Sequence, residues 1–319
     1  MVTDVMSFND VKPLVAISAC LLGENVRYDG QTKYSPELVD ILSPVFALQR
    51  VCPEVDAGLP VPRPAVQLMS MPSGLEARGV LDIDLDVTEA LTEFSHNWQA
   101  ENAEVCGAVL KARSPSCGYG TTPVFNDVGV QYSTGNGLFA DLLGGGDFPI
   151  PVIDEEAWFD LKKRRAFIRQ LMFVSRWQTV WSGNFVELIQ QLHASYICQF
   201  MACDISVLDD LGDLIERGSQ GEVSDWMITY YNAALRVLAM QPDTEQYKLV
   251  FHHIARILSP NDDVHAGLIR KIETFQVEHH TIPAMISTFR QMLSQWPNAD
   301  LENQVLLFPH SIEQVWLYD

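Results

Sequence analysis

The chain has no CxxC pair, no CxxxCxxC run, no glycine-rich phosphate loop and no apolar stretch of 18 residues. The missing CxxC weakens a thioredoxin-like redox reading, the missing CxxxCxxC excludes the signature of a radical enzyme, and no phosphate loop announces a nucleotide site. Without a long apolar run, no helical membrane span is expected. Basic residues are scarce: 21 Lys and Arg stand against 41 Asp and Glu, for a net charge of −20 over 319 residues. The excess is evenly spread, with −10 in residues 1–170 and −10 in residues 171–319. A charge of that sign opposes nonspecific attraction to nucleic acid or anionic lipid. The first residues, MVTDVMSFNDVK, lack the basic and apolar parts of a signal peptide, so a cytoplasmic location is expected. Six cysteines in a chain of this length, in a reducing compartment, point away from a disulfide framework. Internal repeats and low-complexity segments are also lacking.

The length suggests two domains, each able to bury its own core. The first half alternates strand and helix signals: VKPLVAISA, the short helix SPELVDILSP, VFALQRV, a helix opened by Val87, Thr88 and Glu89 and running to about Asn102, then VCGAVLKA. TTPVFNDVGVQYSTGNG is rich in turn residues and reads as an extended excursion, LDIDLD as a solvated edge strand, GLFADLLGGG as a short helix and FPIPVID as a fourth strand. Asp154 reads as an N-cap, with Glu155 and Glu156 placed well against a helix dipole. Strands alternating with helices predict an α/β, Rossmann-like domain with a mainly parallel sheet. From Glu155 onward strand signals vanish, and five or more amphipathic helices punctuated by Pro242, Pro260, Pro283 and Pro297 predict an all-α C-terminal domain.

Three cysteines sit where apolar runs stop: Cys20 after VAISA, Cys52 after VFALQRV, and Cys117 in the loop beyond VCGAVLKA. Apolar runs of this length read as buried parallel strands, which end on one edge of a sheet, the edge where open α/β sheets hold ligands. Three thiols on one rim leave a coordination site free on either a tetrahedral zinc or a cubane iron–sulfur cluster. Cys106 begins the strand that Cys117 follows and so belongs at the opposite edge, as a core thiol. Cys198 and Cys203 fall in an amphipathic helix at a spacing that shares no tight face, and read as core or surface residues.

Several polar residues accompany the thiols. Pro53 turns the chain after Cys52, and Glu54 two residues on is either a general base or a loop carboxylate that caps a helix or pairs with Arg63. Ser114 and Ser116 flank Pro115 ahead of Cys117; they either bind a substrate oxygen or only form the turn. Arg27, Tyr28 and Asp29 follow Cys20, where an arginine and a tyrosine can stack on a planar base or contact a phosphate. Lys162, Lys163, Arg164, Arg165 and Arg169 form either a solvated helix face or a phosphate-binding patch. The pairs His252–His253 and His279–His280 are neighbours on helices and diverge around the axis, which argues against a metal site.

Taken together, ISACLLGENVRYDG, VCPEVDAGLPVPR and LKARSPSCG resemble the TudS-like thiouracil desulfidase family (domain of unknown function 523) over roughly residues 12–155. The helical remainder, most clearly NQVLLFPHSIEQVWL, resembles the YbgA-like domain (domain of unknown function 1722) often fused behind it, as in bacterial desulfidases of 4-thiouridine in transfer RNA. The resemblance implies a desulfidase domain over 1–158, a connecting helix over 159–182 and a YbgA-like, tRNA- or substrate-binding domain over 183–319. It implies that Cys20, Cys52 and Cys117 hold a [4Fe–4S] cluster whose fourth iron accepts the sulfur of a thiolated uracil while water replaces it at carbon. Glu54 is then the candidate for activating that water and Ser114 for orienting the ring or handling a proton. Arg27, Tyr28, Asp29, Arg63, Lys111, Arg113 and Ser116 are candidates for binding the substrate. The helix LIQQLHASYICQFMAC departs from the basic start usual for the fused domain, and the acidity of the region suits a large polyanion poorly. Free thiouracil or a small thionucleotide is therefore an alternative to tRNA. A zinc-dependent hydrolase and a non-catalytic, cluster-bearing RNA-binding regulator are the readings from other classes.

Overall fold

The computed structural model describes residues 12–180, 185–218, 223–259, 262–278 and 281–318. It divides into two compact units, one spanning Lys12–Phe167 and one running from Ile168 onward.

The first unit is built on two four-stranded sheets. Its elements are β1 (Leu14–Ser18), α1 (Pro36–Leu42), β2 (Ala47–Val51), α2 (Pro53–Asp56), β3 (Val66–Met71), β4 (Gly74–Gly79), α3 (Thr88–Glu101), β5 (Gly107–Leu110), β6 (Thr122–Phe125), β7 (Gln131–Gly135), α4 (Leu138–Leu143) and β8 (Val152–Asp154). The strands β2-β1-β5-β8 form a wholly parallel sheet. Every residue of β5 is buried, as is β1 beyond its first residue, because central parallel strands are covered on both faces. Trp98 of α3 meets Phe139 of α4 edge to face, and both pack with Val105, Ala108, Leu110 and Val152 in the core. The register sets the carboxyl edge. Ser18 pairs with Val51, Leu110 pairs with Asp154, and Ser18 lies one residue past the Ile17–Val109 pair.

The second sheet, β4-β3-β6-β7, was not foreseen. The hairpin β3–β4 and the hairpin β6–β7 are each antiparallel, and β3 runs parallel to β6. The segment expected to be an excursion is thus β6–β7, a paired hairpin with an irregularity at Val124/Phe125. Leu68, Ala77, Val87, Leu91 and Val124 form its core against α3.

LDIDLD is not an edge strand. The Asp84 N–H donates to the Asp82 carboxylate (3.1 Å), the Leu85 N–H to the Asp82 carbonyl (3.1 Å), and only Asp86 bridges to Arg78. Short carboxylates that bond their own backbone favour turns over ladders.

Helices fill the second unit: α5 (Leu161–Val180, which begins in the first), α6 (Phe185–Cys203), α7 (Leu208–Gly218), α8 (Val223–Ala239), α9 (Thr244–Leu258), α10 (Asp262–Glu273) and α11 (Thr281–Leu293). Phe173, Trp177, Tyr196, Phe200, Tyr230 and Tyr231 cluster in its interior. Cys198 and Cys203 are buried there, and burial pushes the Cys198 thiol up to about 12. His252 faces Glu273 at 3.1 Å; the pair His279–His280 lies outside the described residues.

The basic run of α5 does not act as one patch. Lys162 and Lys163 are exposed, while Arg169 is buried and donates to the carbonyls of Leu238 (2.9 Å) and Met240 (2.6 Å). Arg176 is also buried, forking onto the Glu313 carboxylate (2.8 and 2.5 Å) and the Tyr196 hydroxyl (2.6 Å). Arg176→Ala leaves that carboxylate buried and unpaired, so we expect a loss of about 3–5 kcal/mol in chemical denaturation.

Candidate active site

Each of the three expected thiols follows a strand of the parallel sheet. Beyond β1 the chain makes one tight helical turn, Ala19–Leu22, closed by Gly23 in the left-handed region at φ 100°. The Cys20 carbonyl accepts from Gly23 N (3.3 Å), Lys33 N (3.0 Å) and the Thr32 hydroxyl (2.8 Å), so the returning loop fastens the thiol's backbone. Cys52 is the N-cap of α2, with Pro53 at the first helical position, where a missing N–H does no harm. Its own N–H donates to Asp56 (2.9 Å).

Cys117 sits in a turn organised by Ser114, whose hydroxyl accepts from Ser116 N (3.3 Å) and Cys117 N (3.2 Å) and whose carbonyl accepts from Gly118 N (2.9 Å) and the Thr122 hydroxyl (2.8 Å). The turn is packed backbone to backbone. A Cβ on Gly137 would lie 2.4 Å from the Ser116 carbonyl carbon, and one on Gly118 would lie 2.2 Å from the Thr122 hydroxyl oxygen. Arg113, at the start of this loop, is the one non-glycine with positive φ (59°) among the described residues.

All three thiols line one cavity of about 450 Å³, together with Ser18, Arg27, Tyr28, Lys33, Glu54, Arg63, Lys111, Arg113 and Ser114. Cys106 is buried at the other end of β5, where its N–H meets the Leu14 carbonyl (2.8 Å), and does not line it. Burial pushes the Cys20 thiol up to about 11, with the Cys52 charge adding to the rise. Cys52 is raised mainly by burial, and Cys117 is raised well above its ordinary value by burial, against the pull of a hydrogen bond with Ser18. Three acidic groups crowded into one poorly solvated space favour their neutral forms unless a cationic centre joins them.

Most charged groups around the cavity are already paired. Arg63 forks onto Glu54 Oε2 from Nε (2.8 Å) and Nη2 (2.6 Å) and also donates to the Val26 carbonyl (3.0 Å). Glu54 Oε1 accepts from the Ser116 hydroxyl (3.0 Å). Lys111 pairs with Glu155, whose carboxylate also takes the Ala112 N–H, and Arg113 pairs with Glu156. Glu155 thereby braces the loop rather than facing a helix dipole, while Asp154 accepts from Glu156 N (3.1 Å) and Ala157 N (2.7 Å) as a cap does.

Two candidates do not line the cavity. Ser116 is fully buried and turned to Glu54, and Asp29 holds Arg27 (3.3 Å) and the Gln31 N–H (3.1 Å). Tyr28 lines the cavity and is 44% exposed.

Sequence reasoning passed over Lys33 and Ser18. Among the described residues, Lys33 is the cavity cation with no carboxylate partner. The signal was the YDG turn: Gly30, at φ 72°, donates to the Arg27 carbonyl (2.9 Å) and sends the chain back across Cys20. Ser18 accepts from Lys111 N (2.9 Å) and so joins the ends of β1 and β5.

A parallel sheet that brings thiols from three strand ends into one cavity defines an α/β protein with a soft, sulfur-donor centre. Residues 15–155 match the family model for 2-thiouracil desulfurase, and residues 198–311 match that for a protein of unknown function (DUF1722). A solved structure described as a [4Fe-4S]-dependent thiouracil desulfidase is 32% identical, with 47% of this chain and 94% of that one covered and a TM-score of 0.37. Nothing matches among curated proteins. By the family match, residues 15–155 form a thiouracil desulfurase domain.

Gly137→Ala forces backbone atoms of the Cys117 turn to move. We expect it to lower thermal stability by about 2–3 kcal/mol and to raise the reactivity of Cys117 toward a thiol reagent, read by peptide mapping.

Proposed function

We propose that this chain is a [4Fe–4S]-dependent desulfidase that replaces sulfur by oxygen in a thiolated uracil, with 4-thiouridine in tRNA as the favoured substrate. The observation that carries the reading is the meeting of Cys20, Cys52 and Cys117 on one cavity. The donor set fits such a group: three soft sulfur ligands, from loops that are each anchored by backbone hydrogen bonds. Among the described residues no three His, Cys, Asp or Glu are grouped to hold a single ion. When bound, the cluster supplies an iron with an open position, a soft acceptor for the thiocarbonyl sulfur.

The reaction is a hydrolysis. Water adds its oxygen at the thiocarbonyl carbon, the C=S bond breaks, and sulfur departs as sulfide with no net electron transfer. The Tyr28 face offers a stacking platform for the pyrimidine ring. Glu54 is our candidate to take a proton from the incoming water: Arg63 fixes one carboxylate oxygen, and Oε1, whose hydrogen-bond partner among the described residues is Ser116, retains a lone pair. The Ser114 hydroxyl oxygen accepts two backbone N–H groups, which leaves its own hydrogen free to donate to a substrate atom.

The half-exposed Tyr28 and the exposed Lys33 suit a base presented by a larger molecule, drawn from its stack. A second reading, free thiouracil or a small thionucleotide, is favoured by the net charge of −20 and by the burial of Arg169. Sulfide release from anaerobically reconstituted protein, measured side by side with 4-thiouridine-containing tRNA, 4-thio-UMP and free thiouracil, decides between them. Substitution of Cys20, Cys52 or Cys117 by alanine abolishes release, and turnover retained in all three variants overturns the proposal. A regulator without catalysis predicts tRNA binding and no sulfide. Lys33→Ala is expected to raise KM about tenfold for the phosphorylated substrates while leaving free thiouracil unchanged, the loss of one charge-assisted hydrogen bond.

A further inference from the structure

Arg50 does not line the cavity, yet its guanidinium spans two of the three ligand loops. It is the penultimate residue of β2 and its side chain is 40% exposed. Nη1 donates to both oxygens of Asp56 (2.6 and 2.9 Å), while Nη2 and Nε donate to the two oxygens of Glu24 (2.9 and 3.3 Å). Both partner residues are tied to the backbone around a thiol, Asp56 by its carboxylate and Glu24 by its main-chain N–H. Asp56 accepts the Cys52 N–H (2.9 Å) and its own N–H returns to the Cys52 carbonyl (2.8 Å); the Glu24 N–H donates to the carbonyl of Ala19 (3.2 Å), the neighbour of Cys20.

We propose that Arg50 is a positioning residue that holds the Cys20 and Cys52 loops at the spacing their shared centre requires, an inference that rests on the desulfidase reading. A planar group with five donors is suited to bridging two carboxylates, and a lysine ammonium is not. Exposed ion pairs add little to global stability. Removing this cation, however, leaves two carboxylates facing one another and spreading the loops. Partners that orient a ligand from outside its shell typically change metal affinity 10–100-fold.

The test compares full-length Arg50→Ala, Arg50→Lys and the double variant Arg50→Ala/Glu24→Gln after anaerobic reconstitution. Decay of the visible cluster absorbance under a chelator is followed, together with amide hydrogen exchange over residues 19–24 and 52–57. We expect Arg50→Ala to lose its cluster about tenfold faster and to exchange faster in both segments, with the melting temperature little changed. Arg50→Lys and the double variant each recover part of the loss, the latter by removing the repulsion. Wild-type cluster lifetime and wild-type exchange in Arg50→Ala overturn the inference. Should the wild-type protein itself take up no iron, the desulfidase reading fails, and the exchange data alone decide whether Arg50 sets the loop spacing.

Discussion

One carboxylate joins the three loops on which the site is built. Glu54 belongs to the Cys52 loop; through Arg63 it reaches the Val26 carbonyl in the loop after Cys20, and through Ser116 it reaches the turn that carries Cys117. The Glu54 and Arg63 side chains are only 13% and 5% exposed, so their attraction acts in a medium that screens it poorly. Such a network is worth most when every member is satisfied, because a missing partner leaves a charge or a polar group stranded. The geometry of the thiols therefore depends on a carboxylate, a guanidinium and a hydroxyl.

The same economy governs the other charges at the carboxyl edge. Arg27 answers Asp29, Lys111 answers Glu155 and Arg113 answers Glu156. These cations brace loops more than they raise a positive field, which is consistent with a chain carrying −20 overall. An acidic protein can in this way offer a cavity rich in N–H donors without becoming a general trap for polyanions. Lys33 departs from the pattern, and its placement on the returning loop puts unpaired charge at a chosen point of the cavity wall.

Much of this is legible in the sequence. Apolar runs ending in Cys20 and Cys52 are strand signals with a direction, and Cys106 was assigned to the far edge by the same logic that gathered the other three. The second sheet was hidden because VQLMSMPSGLEARG holds a single β-branched residue, Val66, and because β3 pairs with β6, a strand more than fifty residues away. LDIDLD alternates as a strand does, yet its carboxylates find their own backbone N–H groups sooner than a neighbouring strand. The basic run of α5 looked uniform in composition, and only the packing of Arg169 against the end of α8 separates a buried cation from exposed ones.

Sequence alone determined the ends of the parallel-sheet strands, the class of fold and the three thiols that could serve a soft metal, because hydrophobic periodicity and turn residues act over a few neighbours. Tertiary structure decided which of those residues face the cavity and which serve each other. Ser116 turned toward Glu54, Asp29 toward Arg27, and Lys33 came into view, since hydrogen bonding and burial are set by groups brought together from remote parts of the chain.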